Sequence, residues 1–392
     1  MFLLWFFDSF SLSLCPNCLN YSWFNTISEA LSSIQFYEAK RIAKYAIDIY
    51  DASIFGWTEK SVAEKMGLTE TKDVIIKDFS STEHPRFVVL TDHSESTIVL
   101  CIRGTYSLGD AVLDIVCDEV PFLDGYAHHG MVDGAYRILN KVMPTIRVLL
   151  LEQFPGYKLR VTGHSLGAGT AELITLILLS NTNEDREWLS NIDIKCVALA
   201  PPPVYRSSTC LKKEDQQKIM IFVNGNDCVP RLSLANCAWL LAALRAVDNL
   251  NLTALDILSI IFQKLTDKEL PIMQSTSIVN ANLKKVLMAL SGIDGQYQEK
   301  FKYLSHPSSY VYYLSPTYGK DNKGTKCLSV SLIRKKAKHF SHLLLMFSKM
   351  IDDHFQWNYD NALNKISYEH DSEGILSPKV VTSNQGSSLV LC

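Results

Sequence analysis

The pentapeptide Gly163-His164-Ser165-Leu166-Gly167 is the part of this sequence whose residue types most directly indicate chemistry. It follows a strand-like run, residues 159–162, and precedes a helix-like run that begins at Ala168. A strand, a sharp turn and a helix can lift a serine hydroxyl out of a sheet, and flanking glycines avoid collisions with neighbouring backbone. The pattern predicts that Ser165 is a nucleophile. The alternative is a glycine-rich turn in which Ser165 caps the following helix.

A serine is a useful nucleophile at neutral pH only when a histidine accepts its proton and a carboxylate orients that histidine. The best downstream carboxylate is Asp227, which closely follows the strand-like run 218–224. A loop at the carboxyl edge of a sheet is expected to begin there, and such loops carry catalytic groups. The alternative is that Asn226 and Asp227 simply form a turn.

The histidine is predicted to be His354, which follows the apolar run 343–347 and lies on a loop after the last sheet element. His306 is the other candidate for the base, but it precedes the final strand-like runs. His339 and His342 border a basic segment that begins at Arg334 and is typical of solvated surface. The pair also has no third ligand that would indicate a zinc site.

Two donors are needed for the oxyanion of a tetrahedral intermediate. The backbone N–H of Leu166 is predicted to be one, because this residue follows the nucleophile. The second is predicted to be the N–H of Thr105, which lies in the segment Arg103-Gly104-Thr105 directly after the strand-like run 97–102. A plain glycine-containing turn is the alternative.

The elements around these residues predict an α/β fold. Apolar runs rich in β-branched residues occur at 87–91, 97–102, 194–200, 218–224, 310–314 and 327–333. They alternate with helical patterns at 36–50, 134–154 and 168–180, which predicts a mostly parallel sheet covered by helices on both faces. A helical insertion at about 232–298 separates the acid from the base, and it is either a lid or a set of covering helices.

Composition and cysteine spacing argue against a nucleic-acid partner and against a metal site. The chain has 392 residues and a net charge of −3, so it has no basic field that would indicate a nucleic-acid partner. Ten cysteines are scattered, and Cys101 and Cys196 lie in apolar runs typical of buried free thiols. Cys15 and Cys18 form a lone CxxC with no second pair, so no metal is assigned and no cofactor is expected.

Three regions are expected along the chain. Residues 1–35 are an apolar N-terminal segment, residues 36–370 are the catalytic domain, and residues 371–392 are a polar tail expected to be disordered. The first 14 residues are apolar but carry Asp8 and are shorter than the ~20 residues of a spanning helix. They are interpreted as a membrane-touching segment, with a signal peptide as the alternative.

Five motifs in order give this chain a resemblance to the class 3 lipase family. They are Ile102-Arg103-Gly104-Thr105 with Ser107, Asp110 and Asp114, then His129-Gly130, then residues 163–169, then residues 226–231, then Asp353-His354 with Tyr359. The likeness is greatest to sn-1-specific diacylglycerol lipases and covers about residues 36–363. It implies an α/β-hydrolase fold, Ser165, Asp227 and His354 as the triad, and a regulatory insertion after Arg231. Asp114 matches a position where family members keep a carboxylate, which would support the oxyanion loop.

The resemblance also implies the function. The expected activity is hydrolysis of glycerolipid acyl esters through an acyl-enzyme, with diacylglycerol cleaved to monoacylglycerol and fatty acid. A phospholipase A1, a monoacylglycerol lipase or another carboxylesterase would use the same triad, and a catalytically silent binding module is a further alternative.

Animal diacylglycerol lipases carry four transmembrane helices before this domain, whereas this chain has one short apolar stretch. We therefore expect a lipid substrate at a membrane or lipid interface and a cytoplasmic, peripherally membrane-associated protein, with secretion left open.

Overall fold

A central β-sheet organises the part of the chain that the computed structural model describes. The described residues are 31–55, 58–79, 85–105, 119–181, 183–209, 211–256, 259, 275–300, 304–320, 326–337, 340, 349–366, 368–370 and 376–378. The strands are β1 Val74–Asp78, β2 Phe87–Asp92, β3 Thr97–Ile102, β4 Glu119–Phe122, β5 Gly125–His128, β6 Lys158–His164, β7 Ile194–Leu199, β8 Tyr205–Ser207, β9 Ile219–Asn224, β10 Tyr310–Lys320, β11 Lys326–Lys336, β12 Tyr368–His370 and β13 Leu376–Pro378. The helices are α1 Ser33–Phe55, α2 Glu59–Lys65, α3 His129–Val148, α4 Leu166–Leu179, α5 Arg186–Leu189, α6 Lys213–Gln217, α7 Leu234–Asp248, α8 Thr276–Lys300 and α9 Gln356–Asn364.

Eight of the described strands form the main sheet, in the order β1-β2-β3-β6-β7-β9-β10-β11. The five strands β3, β6, β7, β9 and β10 run parallel, and antiparallel pairs complete the sheet at both edges. Strands β4, β5 and β8 form a separate small sheet. Because the parallel strands end at one edge, the loops after β3, β6 and β9 meet there. The predicted α/β-hydrolase architecture is confirmed.

Alternating side chains of the strands contact helices on opposite faces of the sheet. In β3, Ile98, Leu100 and Ile102 join the core beneath α3 and α4. Val99 and Cys101 join the core beneath α1 and α9. This period of two is what the pleat of a strand imposes, and it buries both faces of the sheet.

Helix α1 packs along the sheet through the apolar positions that the sequence indicates. Phe36, Ile42, Ala43, Ala46 and Ile47 are all buried. Intervals of three, four and seven residues among them place these positions on one face of a helix. The helix is longer than predicted, since it begins at Ser33 and ends at Phe55.

Several predicted bounds differ from the structure. The helix predicted at 134–154 begins earlier, at His129, and changes to a π-helical segment, Leu149–Gln153. Strand β11 continues through Lys336, so the basic segment begins within a strand in which Lys336 is exposed and Arg334 and Lys335 are partly buried. Lys335 places its ammonium 4.2 Å from the centroid of the Tyr313 ring, which explains how the cation is accommodated.

The helical insertion is present as α7 and α8, which pack on each other through a small core of their own that includes Ala243, Val247, Val279 and Val286. Among the described residues, no helix combines the length and the apolar character that crossing a bilayer requires. Residues 376–378, which the sequence places in a disordered tail, form β13 and pair with β12. The apolar segment 1–30 is outside the described residues.

Candidate active site

Ser165 lies on the sharp turn between β6 and α4. Its backbone angles are φ 59° and ψ −130°, a region that non-glycine residues rarely occupy. Such a conformation costs on the order of 1–3 kcal/mol and persists only where the surrounding structure enforces it. Crowding explains the flanking glycines: a Cβ on Gly163 would lie 2.5 Å from the carbonyl carbon of Gly167, and one on Gly167 would overlap the carbonyl oxygen of Ile102.

A chain of hydrogen bonds runs from Ser165 to the predicted acid. His354 Nε2 lies 2.9 Å from Ser165 Oγ, and His354 Nδ1 lies 3.0 and 3.1 Å from the two carboxylate oxygens of Asp227. All three residues are buried. Because Asp227 can only accept, His354 Nδ1 carries a proton and Nε2 is free to accept the serine proton. The structure thus brings together the three side chains that the sequence predicts as a triad.

Asp227 is held by two further donors. The Tyr359 hydroxyl donates to Oδ2 at 2.7 Å, and the Val229 N–H donates to Oδ1 at 2.9 Å. Burial, and next the negative charge of Asp227, hold the pKa of Tyr359 well above its ordinary value, so the phenol keeps its proton. The Tyr359 oxygen in turn accepts the Asn224 N–H at 3.0 Å. The sequence marks Tyr359 as part of a motif but does not reveal this contact.

Asp353 joins the loop of the base to the loop of the acid. Its carboxylate accepts the Asn226 N–H at 2.7 Å, and its carbonyl accepts the side-chain amide of Asn224 at 3.0 Å. Burial raises the pKa of Asp353, while the Asn226 N–H acts against that rise. These contacts fix the position of His354 relative to Asp227 through the backbone on either side.

The comparisons with known proteins begin with the segment that holds this site. Residues 99–237 match the family model described as Lipase (class 3). This segment is similar to class 3 lipases. The matched segment includes Ser165 and Asp227, whereas His354 lies beyond it and reaches the site through the fold.

Curated relatives align with part of the chain. Diacylglycerol lipase-beta of Mus musculus is 29% identical over 175 residues, which is 42% of this chain and 24% of that protein. Diacylglycerol lipase-alpha of Homo sapiens is 32% identical over 165 residues, which is 38% of this chain and 14% of that protein. The alignments therefore span less than a quarter of the length of these two relatives.

A solved structure is similar as well. The Rhizomucor miehei triacylglyceride lipase matches 53% of this chain and 77% of that chain, with 25% sequence identity and a TM-score of 0.44.

The predicted oxyanion donors lie at the two sides of the turn that carries Ser165. Leu166 begins α4, and the first N–H groups of a helix have no acceptor within the helix. The loop that carries Thr105 lies against the elbow. Its Gly104 is so close that an added Cβ would be 3.0 Å from Ser165 Cβ. The roles of Leu166 and Thr105 stay predictions. Ser107, Asp110 and Asp114 are not among the described residues.

The alternative base, His306, is placed elsewhere. It is buried, and its Nε2 lies 3.0 Å from the carbonyl oxygen of Pro230, so this nitrogen donates to backbone. Burial is the main cause that lowers the pKa of His306 to about 4. The structure gives His306 a packing position, and His354 is the histidine that contacts Ser165.

Of the remaining candidates, the structure describes only two cysteines. Cys101 and Cys196 are free and buried, as the apolar runs indicate. Cys15, Cys18, His339 and His342 fall outside the described ranges. Within those ranges, no group of three or more histidine, cysteine, aspartate or glutamate side chains could hold a metal ion.

Proposed function

We propose that this chain is a serine hydrolase that cleaves acyl esters of glycerolipids. The observation that carries the proposal is the hydrogen-bonded chain from Ser165 Oγ through His354 to Asp227, with the serine on a strained turn. A nucleophile elbow holds its serine in a strained backbone conformation, and Ser165 has such a conformation. The match to the class 3 lipase model supports lipid esters over other esters.

The geometry suits two successive acyl transfers. Ser165 Oγ attacks the ester carbonyl while His354 Nε2 accepts the serine proton, and Asp227 stabilises the resulting imidazolium. His354 then donates that proton to the leaving glycerol oxygen, and the acyl-enzyme forms. Water, activated by the same histidine, hydrolyses the acyl-enzyme and frees the fatty acid. The N–H groups of Leu166 and Thr105 would stabilise the oxyanion in both halves of the reaction.

The proposed substrate is diacylglycerol, cleaved at the sn-1 ester to monoacylglycerol and fatty acid. Two curated relatives, from Mus musculus and Homo sapiens, are named for diacylglycerol, and this supports the choice. The triad alone does not select among lipid esters, because the walls of a pocket decide substrate choice. The assay is hydrolysis of dispersed diacylglycerol, monoacylglycerol and phosphatidylcholine with separately labelled sn-1 and sn-2 chains. Faster release from phosphatidylcholine, or from the sn-2 position, would contradict the proposed substrate.

The mechanism itself is tested with a fluorophosphonate probe, which labels an activated serine. Wild type should be labelled, and Ser165→Ala and His354→Ala should not be. The matched control is His306→Ala, which removes a buried histidine that bonds to backbone and should leave labelling intact. Loss of labelling in His306→Ala alone would overturn the assignment of the base.

We further propose that the protein meets its substrate as a cytoplasmic, peripheral membrane protein. The insertion supports peripheral attachment, because Leu241 of α7 and Met288 of α8 are 57% and 64% exposed on two helices that share their own core. Apolar side chains that are exposed together can insert into the interface of a lipid surface. Leu241→Ser with Met288→Ser should reduce co-sedimentation with vesicles and leave cleavage of a soluble short-chain ester unchanged. Resistance of the wild-type protein to extraction from membranes by alkaline carbonate would argue against peripheral attachment.

A further inference from the structure

His164, the residue before the proposed nucleophile, connects the elbow to the loop of the proposed base. Its Nε2 lies 2.8 Å from the carbonyl oxygen of His354, and its Nδ1 lies 2.9 Å from the Tyr50 hydroxyl. His164, His354 and Tyr50 are all buried. Because a carbonyl oxygen only accepts, His164 Nε2 carries the ring proton, and Tyr50 donates to Nδ1. Both ring nitrogens of a neutral imidazole are therefore satisfied.

His164 is kept neutral beside the base. Burial is the main cause that holds the pKa of His164 well below its ordinary value, and the charge of His354 acts in the same direction. The two imidazole rings lie 4.8 Å apart between centroids, at an angle of 35°. A second cation at this distance would oppose the imidazolium that His354 forms during acyl transfer. A neutral His164 can thus hold the base without competing with its charge.

Tyr50 is itself rigidly placed. Its ring meets the His164 ring edge to face, with centroids 5.6 Å apart. Its hydroxyl would lie 2.6 Å from a Cβ on Gly104, so it also contacts the loop of the predicted oxyanion donor. One hydroxyl therefore touches the donor loop and, through one histidine, the loop of the base.

We infer that His164 and Tyr50 are positioning residues for the catalytic base. The Tyr50 hydroxyl donates to Nδ1 and holds the His164 ring in place, and the His164 Nε2–H anchors the backbone of His354 so that its ring stays at hydrogen-bond distance from Ser165. Asp227 holds the ring itself, through its Nδ1. This inference rests on the proposed serine hydrolase function.

The test is the saturation kinetics of fluorophosphonate labelling on the full chain, which separate the maximal rate from the apparent affinity for the probe. His164→Leu should lower the maximal rate by about 10²-fold, the cost of a small misplacement of a catalytic group. The apparent affinity should not change, because His164 is not proposed to touch substrate. His164→Gln keeps an N–H donor and should restore most of the rate. Tyr50→Phe should lower the maximal rate by about tenfold, because it removes one hydrogen bond from His164.

The link between the two residues is tested by the double variant. If Tyr50 acts through His164, Tyr50→Phe should cost nothing further in the His164→Leu background. The matched control is Tyr45→Phe, since Tyr45 is a buried tyrosine of the same helix whose hydroxyl donates to Asp92 at 2.8 Å. Tyr45→Phe should leave the maximal labelling rate unchanged.

Each failure has a distinct meaning. If the wild-type chain is not labelled, the proposed function fails and this inference fails with it. If the wild type is labelled and a folded His164→Leu reacts at the same rate, only this inference fails. Should His164→Leu not fold, Tyr50→Phe and Tyr45→Phe decide, because equal rates in these two variants overturn the positioning role.

Discussion

Glu172 of α4 gives a direct test of how burial controls the stability of this fold. Its side chain is fully buried, and within the described structure neither carboxylate oxygen has a hydrogen-bond partner. Burial raises the pKa of Glu172 well above its ordinary value. The native state therefore holds a neutral carboxylic acid at a pH where the unfolded chain carries a carboxylate.

The direction of the pH effect follows from proton binding. Above the ordinary pKa of 4.5 and below the raised native pKa, the folded state binds one more proton than the unfolded state at Glu172. The free energy of unfolding therefore falls as pH rises, with the full contribution present only below the ordinary pKa. The slope is at most about 1.4 kcal/mol per pH unit, or about 2.7 kcal/mol between pH 5 and pH 7 while the native pKa stays above that range.

The substitutions Glu172→Gln and Glu172→Leu remove this titration. We expect each to gain stability relative to wild type as pH rises from 5 to 7, and Leu to exceed Gln because it leaves no buried polar atoms without partners. Urea unfolding at pH 5, 6 and 7, followed by circular dichroism, measures the effect. The control is Glu184→Gln, which removes an exposed carboxylate. A gap between wild type and Glu172→Gln that stays constant over this range would refute the reasoning.

Three further comparisons of variants test the site. Tyr359→Phe removes a charge-assisted hydrogen bond to Asp227, worth about 1.5–3 kcal/mol, so the fluorophosphonate labelling rate should fall at least tenfold, and an unchanged rate would contradict the contact. Ser165→Gly should be more stable to urea than Ser165→Ala by about 1 kcal/mol, because glycine relieves the strain of a φ of 59°, and the reverse order would argue against that strain. Gly167→Ala should lose labelling and stability through backbone overlap, while Gly130→Ala, whose Cβ would have no neighbour within 3.7 Å, should be tolerated.

The sequence predicts the meeting of Ser165, Asp227 and His354 because each side chain follows an element with a strong local pattern. Apolar strand-like runs precede Ser165 and Asp227, and parallel strands bring such loops to one edge of a sheet. His354 is harder to place, since it lies beyond the matched family segment. Its position after the last apolar run is the signal that identifies it.

Local patterns do not reveal partners that are far apart in the chain. Arg160 is fully buried in β6, although a charge in an apolar run would ordinarily be read as facing solvent. Its guanidinium is 2.6 Å from carboxylate oxygens of both Glu38 and Asp193, two residues that only the fold brings near it. Periodicity shows that the position is in a strand, but the burial of the charge depends on contacts over 122 and 33 residues of sequence.

Helix α1 also makes polar contacts that its sequence pattern does not reveal. The pattern indicates an amphipathic helix that covers the sheet, but two of its polar side chains bind strands of that sheet. Glu38 binds Arg160 of β6 and Tyr45 binds Asp92 of β2, so the helix is fixed to two strands by buried polar contacts. Removing one partner of a fully buried charge pair costs about 3–5 kcal/mol, but Arg160 keeps its contact with Asp193 when Glu38 is removed, so the cost here is smaller. Glu38→Ala should therefore lower the free energy of unfolding in urea, and an unchanged value would contradict the pairing with Arg160.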